Sequence, residues 1–437
     1  MPWSGTRDAT AFGPVAPQSF GFGRSGRMRG AEDCLTLNIW SPAGEARSRP
    51  VMVWIHGGAF VSGSGAHYNG SKLASRGDIV VVTLNYRLGV LGFCNLGDAL
   101  DDPSVGSNLG VRDVLAALRW VKTNIAAFGG DPDAVTIAGE SAGSIIVSLL
   151  LLADTAPLIH RAIMQSGSFN LAHSRERSTR NARAYLDHLG ARNLSDLQNL
   201  PTEALLQAQT TVARRMEGTS RGAPWFDGAL LPASYADASA RPLPPIPLLA
   251  GANRDEINLF KVLPGPRVLR TSRAALTEIV TRDLDPESAS RISTAYPDTR
   301  AGNRALGSHL NFGMPTLHFA ERQAGAGIPV WTYRFDYAHP VLGAYHALDL
   351  LFLWPFPGLL GASLRGGFLT GRRSGLSERM RSAWASFVRT GSPGEDWPRF
   401  TLPERSTRLF DLQDRMIDDP MRDKRVAWQG QDTWPGR

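Results

Sequence analysis

The sequence predicts an open α/β fold: a central, mostly parallel sheet flanked by helices. Three observations carry that expectation. Short apolar runs recur without alternation, at Val51 to Ile55, Ile79 to Leu84, Val135 to Ala138, Ala162 to Gln165, Ile246 to Ala250 and Val330 to Phe335. Such runs suit strands buried on both faces. Helical segments separate them; in the strongest, Val111, Val114, Leu115, Leu118, Val121 and Ile125 share one stripe. Finally, Gly139-Glu140-Ser141-Ala142-Gly143 joins the third run to an apolar helix, Ile145 to Ala153. Alternating strand and helix is the pattern of an open α/β sheet.

Taken in order, Cys34 to Trp40 alternates, with Leu35, Leu37 and Ile39 on one face. That suits a half-exposed antiparallel strand near the start of the sheet. Val51 to Ile55 runs straight into His56-Gly57-Gly58-Ala59-Phe60, where small residues let backbone N–H groups turn toward one point. The amphipathic helix stops at Gly129-Gly130, and Asp131-Pro132 is expected to turn the chain back. Residues 172–245 and 261–329 are polar and mainly helical, and read as excursions over the top of the sheet. Val341 to Leu360 is apolar yet contains His346, Asp349 and two prolines, and reads as buried core around a site. Pro355 to Gly375, rich in glycine, leucine and arginine, reads as a surface connection. The 437 residues make one large α/β domain with insertions, 1–437.

Composition excludes several classes. With 43% apolar and 20% charged residues, the chain is neither low-complexity nor disordered. The net charge is +7, and of 47 basic residues only Lys72, Lys122, Lys261 and Lys424 are lysine. The arginines are dispersed, and clusters such as Arg175/Arg177/Arg180/Arg183 carry no interleaved aromatics, so nucleic-acid binding is not expected. Two cysteines, Cys34 and Cys94, imply no disulfide framework, and paired CxxC metal motifs are absent. No apolar run is long enough to span a bilayer, and none follows a basic start as a signal peptide would.

The glycine-flanked Ser141, between strand and helix, has the form of a nucleophile elbow, which holds a hydroxyl above the carboxyl end of a sheet. A serine nucleophile needs a base, an orienting acid and an oxyanion hole. The His56–Phe60 turn and the N–H of Ala142 can form the hole. Among nine histidines, His339 and His346 both follow the sixth run, and spacing does not separate them. Asp255 and Glu256 both follow the fifth, and either can be the acid; the other is free to pair with Arg254.

Together these residues resemble the type-B carboxylesterase family, the esterase and cholinesterase branch of the α/β-hydrolases. The resemblance runs through Glu32-Asp33-Cys34-Leu35-Thr36-Leu37-Asn38-Ile39-Trp40, Asn85-Tyr86-Arg87-Leu88-Gly89, Phe128-Gly129-Gly130-Asp131-Pro132, the Ser141 pentapeptide, Gln165-Ser166-Gly167-Ser168 and Asp227-Gly228. It implies an α/β-hydrolase fold and a serine carboxylic ester hydrolase that needs no metal or cofactor. It implies that Glu256 is the acid, that His346 of Gly343-Ala344-Tyr345-His346 is the base, and that Gly58, Ala59 and Ala142 are oxyanion donors, with Gly57 shaping the loop. Glu140, Ser166 and Asp349 would stand behind them. Phe60, Trp225 and Phe226 are candidate pocket aromatics, with core packing the equal alternative. The expected partner is a small-molecule ester. Two other readings stay open on the same residues: a non-catalytic cholinesterase-like binding protein, and an amidase or carbamate hydrolase.

Three departures stand out. The family usually reads His-Gly-x-Glu where this chain has His346-Ala347-Leu348-Asp349, so a shorter acid must support the site. Ala16 replaces a family cysteine, so Cys34 lacks its usual disulfide partner, which fits a reducing, cytoplasmic setting. Pro2-Trp3-Ser4-Gly5 resembles a point well inside the family pattern, so N-terminal strands of the family are expected to be missing, with an exposed sheet edge as the consequence.

Overall fold

In the computed structural model, residues 5–19, 28–44, 48–215, 222–262, 272–355 and 372–431 are described. Most of the Pro355–Gly375 connection lies outside them. A short antiparallel ribbon pairs β1 (Gln18–Ser19) with β2 (Met28–Arg29). The main sheet has nine strands: β3 (Leu37–Trp40), β4 (Arg49–Ile55), β5 (Val80–Leu84), β6 (Gly130–Glu140), β7 (Arg161–Gln165), β8 (Leu248–Asn253), β9 (Val330–Phe335), β10 (Ser406–Phe410) and β11 (Arg415–Asp418). Their spatial order is β11-β10-β9-β8-β7-β6-β4-β5-β3. The seven strands from β5 across to β10 are mutually parallel, and β3 and β11 close the two edges antiparallel.

The apolar runs are continuous because both faces are covered. In β4, Val51, Val53 and Ile55 enter one core layer, while Met52 and Trp54 enter the other. The first layer packs the helices Leu109–Asn124 and Ala142–Leu152. The second packs the C-terminal helix Arg372–Thr390 through Leu376, Met380, Trp384 and Phe387. All eleven residues of Ala142–Leu152 are buried, which accounts for a helix apolar on every side. β3 is half-buried along its length, as its alternation implied.

Two expectations fail locally. Asp131-Pro132 does not turn the chain; it lies inside β6, which starts at Gly130 because Arg49 donates to Gly129 O at 3.0 Å and zips the two strands together from that end. Val341 is 82% exposed, so the apolar stretch after β9 begins as a surface turn, closed by reciprocal His339–Gly343 backbone bonds, and turns inward at Ala344. Residues 172–245 carry the helices Arg175–Leu189 and Thr202–Arg215, and residues 261–329 carry Arg273–Asp283, Pro286–Ala295, Arg300–Ser308 and Met314–Gly325. The last of these packs against β8 and β9.

Candidate active site

Ser141 follows β6 and starts the next helix with φ 55° and ψ −121°. Holding a non-glycine residue there costs of order 1–3 kcal/mol and marks a site the surrounding structure over-determines. The flanking glycines are needed for close approach. A Cβ on Gly143 would lie 2.0 Å from Ile55 O, and one on Gly139 would lie 2.5 Å from the Gly143 carbonyl carbon. Ser141 N donates to Gln165 O at 2.9 Å, anchoring the turn to β7. No side chain caps the helix that begins at Ala142, so its first N–H groups and its dipole are available to an anion.

Glu256 and His346 meet behind this turn. The Glu256 carboxylate is fully buried, accepts the Asn253 N–H at 2.6 Å on Oε1, and meets His346 Nδ1 at 2.6 Å on Oε2. Two further contacts fasten the loops that carry them: His346 N donates to Glu256 O at 3.2 Å, and Asp255 N donates to Ala344 O at 2.9 Å. Asp255 returns the bond, accepting Ala344 N at 3.0 Å, while it pairs with Arg254 at 3.0 Å and Arg304 at 3.2 Å. Its engagement with two guanidinium groups separates the two adjacent acids: Asp255 clamps and Glu256 faces the imidazole. His339 Nδ1 accepts the Val341 and Leu342 N–H groups in its own turn, and its ring lies edge-on to Tyr345.

His346 is enclosed by carboxylates and rings. Its Nε2 lies 3.1 Å from Glu140 Oε1, a charge contact rather than an aligned bond, since Oε1 has no hydrogen-bond partner. Burial opposes the charged imidazole, but the Glu140, Glu256 and Asp349 carboxylates outweigh it and raise the His346 pKa. Burial likewise raises the Glu140 carboxyl, against the pull of His346. Phe312 and Phe260 pack on the ring with centroids 4.5 and 5.2 Å away.

Asp349 is fully buried and accepts three donors: Gln165 Nε2 at 2.8 Å, Asn253 Nδ2 at 3.2 Å and the Tyr333 hydroxyl at 3.3 Å. Gln165 is itself held by Trp384 Nε1 at 3.0 Å, and Asn253 Nδ2 also donates to Tyr345 O at 2.7 Å. The shorter acid thus reaches the residues that bracket Glu256 and His346. Burial, then the Glu256 charge, pushes its carboxyl up.

The loop after β4 approaches Ser141. A Cβ on Gly57 would lie 2.7 Å from Glu140 Oε2 and 3.1 Å from Ser141 Cβ. Gly58 and Ala59 have φ 117° and 53°, so two successive residues of the loop hold left-handed backbone. His56 braces this shape: Nδ1 meets Gly57 O at 2.8 Å and the ring stacks on Tyr86 at 4.4 Å, whose hydroxyl donates to His56 O. Burial drives the His56 pKa down to about 4, so the ring is neutral.

The remaining candidates lie further out. Ser166 follows β7 with φ 54°, donates its N–H to Gly251 O at 2.8 Å, and is fully buried. Phe60 packs edge-on against Phe93, and its carbonyl accepts Gly89 N at 2.7 Å. Phe226 packs on Tyr235, and Trp225 N donates to Asn108 Oδ1 at 3.0 Å; both are buried. Residues that the sequence did not single out are Phe260, Phe312 and Tyr333; Tyr86 was quoted only within a family motif. Phe312 lies in a π-helical stretch, His309–Gly313, of the kind often found at functional sites, which no sequence pattern reveals.

A mostly parallel sheet with a strained serine between β6 and its helix, and a histidine–carboxylate pair after β8 and β9, defines an α/β-hydrolase. The sequence matches the carboxylesterase family model over residues 1–428, and the chain belongs to that family. The para-nitrobenzyl esterase of Bacillus subtilis is 36% identical over 445 residues, covering 97% of this chain and 88% of that protein. The phenmedipham hydrolase of Pseudarthrobacter oxydans is 34% identical over 433 residues, covering 91% and 84%. A solved PNB esterase superposes with a TM-score of 0.85 at 36% identity over 97% of this chain and 90% of that one. The Geobacillus stearothermophilus carboxylesterase EST55 at pH 6.2 gives 0.82 at 38% identity over 98% and 91%. The protein is a serine carboxylesterase, a hydrolase of carboxylic esters. Among the described residues no helix is long and apolar enough to cross a membrane.

Proposed function

We propose that ester hydrolysis runs through an acyl-enzyme on Ser141. His346 Nε2 turns from Glu140 to the Ser141 hydroxyl, takes its proton as Oγ attacks the ester carbonyl, and gives that proton to the leaving alcohol. Glu256 holds Nδ1–H and stabilises the imidazolium. The N–H groups of Gly58, Ala59 and Ala142 receive the oxyanion, with Gly57 keeping the loop close to Ser141. Water then repeats the cycle on the acyl-enzyme and releases the acid. The observation that carries this reading is the 2.6 Å Glu256–His346 contact beside a serine held at φ 55°.

The chain acts as one catalytic unit in this reading, with the helical segments 172–245 and 261–329 covering the site; Phe312 of the second segment packs on the His346 ring. Phe260 and Phe312 wall the histidine side of the substrate space, with Phe60 shaping the far side. Cys34 and Cys94 are both free thiols, which supports a reducing compartment, the cytoplasm, as the place of action. The test is a comparison of the wild type with Ser141→Ala on p-nitrophenyl esters from acetate to long acyl chains. Equal turnover by both proteins would remove Ser141 from the mechanism.

A further inference from the structure

The ends of the strands remote from Ser141 hold a second cavity, of about 460 Å³. It forms where β7, β8 and β9 begin, and the loop that follows the helix Arg372–Thr390 closes it. Each of these strands carries the ester site at its other end, roughly 15 Å away along the strand. The two sites therefore share strands but not side chains.

The cavity is rich in donors. Arg161 opens β7 with its guanidinium half-buried, and its buried Nη1 has no hydrogen-bond partner. Burial weighs against its charge, and Asp131 offsets this only at a distance. The strand-end carbonyls lining the cavity already accept ladder bonds: Pro247 O from Ala162 N and Pro329 O from Leu248 N, each at 3.0 Å. His160 Nδ1 accepts the Val135 N–H at 3.1 Å, so its proton sits on Nε2, a second donor. Trp397 is 2% exposed and its indole Nε1 also lacks a partner. Arg399 lies over the Trp331 ring at 5.7 Å, and Trp331 is fixed by its own bond to Trp397 O at 3.0 Å. Among the described residues one acid lines the cavity, Glu395, and it is exposed.

A partly buried guanidinium without an acceptor is costly, and an oxyanion satisfies it through paired, charge-assisted bonds. We propose that this cavity is a second binding site, which takes a small oxyanion, a carboxylate or phosphate group, on Arg161 with Arg399 and His160 Nε2–H as further donors. Its volume suits a compact organic acid or phosphate rather than a bare ion.

Titration calorimetry on the whole chain, at constant ionic strength in chloride, tests this with inorganic phosphate and benzoate as separate probes. The expected result is one site for at least one probe, weakened about tenfold or more in Arg399→Gln, since one charge-assisted bond is worth that much, and lost in Arg161→Gln. Binding retained after a covalent fluorophosphonate adduct on Ser141 fills the oxyanion donors separates it from the ester site. Arg399 is exposed, so its variant carries the test if Arg161→Gln fails to fold. Absence of binding by both probes, or affinities unchanged by Arg399→Gln, would overturn the assignment.

Discussion

Glu140→Gln should shift the pH dependence of turnover, and its direction follows from geometry. Glu140 Oε1 lies 3.1 Å from His346 Nε2, the nitrogen that in the proposed mechanism must be unprotonated to act as base. Two unit charges at that separation interact by about 5 kcal/mol at an effective dielectric near 20, which taken whole would be about 4 pKa units. The realised effect is smaller, because burial also raises the Glu140 carboxyl and leaves it only partly ionised near neutrality. An opposite charge at such a distance typically moves a pKa by about 1–3 units. The carboxylate favours the imidazolium, so removing it lets His346 lose its proton at lower pH. Glutamine keeps the shape against Gly57 and Ser141. The acid limb of kcat/KM for p-nitrophenyl acetate, measured from pH 5 to 10 (about that range brackets the imidazole), should move down by about 1–2 units. A limb that stays within about 0.3 unit of the wild type, or moves upward, would refute the electrostatic coupling.

Three other substitutions probe the surroundings. Asp349→Glu introduces the family's longer acid into a fully buried space, and the added methylene should cost about 1–3 kcal/mol in denaturant unfolding; a gain in stability would show that the Asp349 network is slack. Phe312→Ala should cost about 3–5 kcal/mol of stability, because the ring is 3% exposed, and should raise the relative rate on esters with bulky acyl groups next to His346. Gly57→Ala places a Cβ 2.7 Å from Glu140 Oε2 and should lower kcat by about 10²-fold, the scale of a displaced oxyanion donor; steady-state kinetics with intact circular dichroism would separate this from unfolding.

The interior of the fold was legible because strands buried on both faces leave continuous apolar runs. β10 and β11 were missed for the opposite reason. Ser-Thr-Arg-Leu-Phe and Arg-Met-Ile-Asp are mixed in polarity, and β11 is an exposed edge whose pairing is set by its neighbour rather than by its own pattern. Within the site, the Ser141 turn could be read from its glycines, since their requirement is steric and local. Spacing left the choice between Asp255 and Glu256 open, and the family resemblance alone pointed to Glu256, because the difference depends on Arg304 and on the backbone of Ala344, both remote in sequence. His339 and His346 were likewise separated by the resemblance of Gly343-Ala344-Tyr345-His346 and not by spacing, since what differs physically is what the chain brings against each ring. The Asp349 network joins β7, β8, β9 and the C-terminal helix through Gln165, Asn253, Tyr333 and Trp384, and no single segment encodes it.

The central claim is that Ser141 becomes covalently acylated. A fluorophosphonate ester mimics the tetrahedral intermediate and traps such a serine as a stable adduct. Intact-mass measurement should give one adduct per chain, peptide mapping should locate it on Ser141, and Ser141→Ala should remain unlabelled. An adduct on any other residue, or hydrolytic activity that survives complete labelling, would contradict the account.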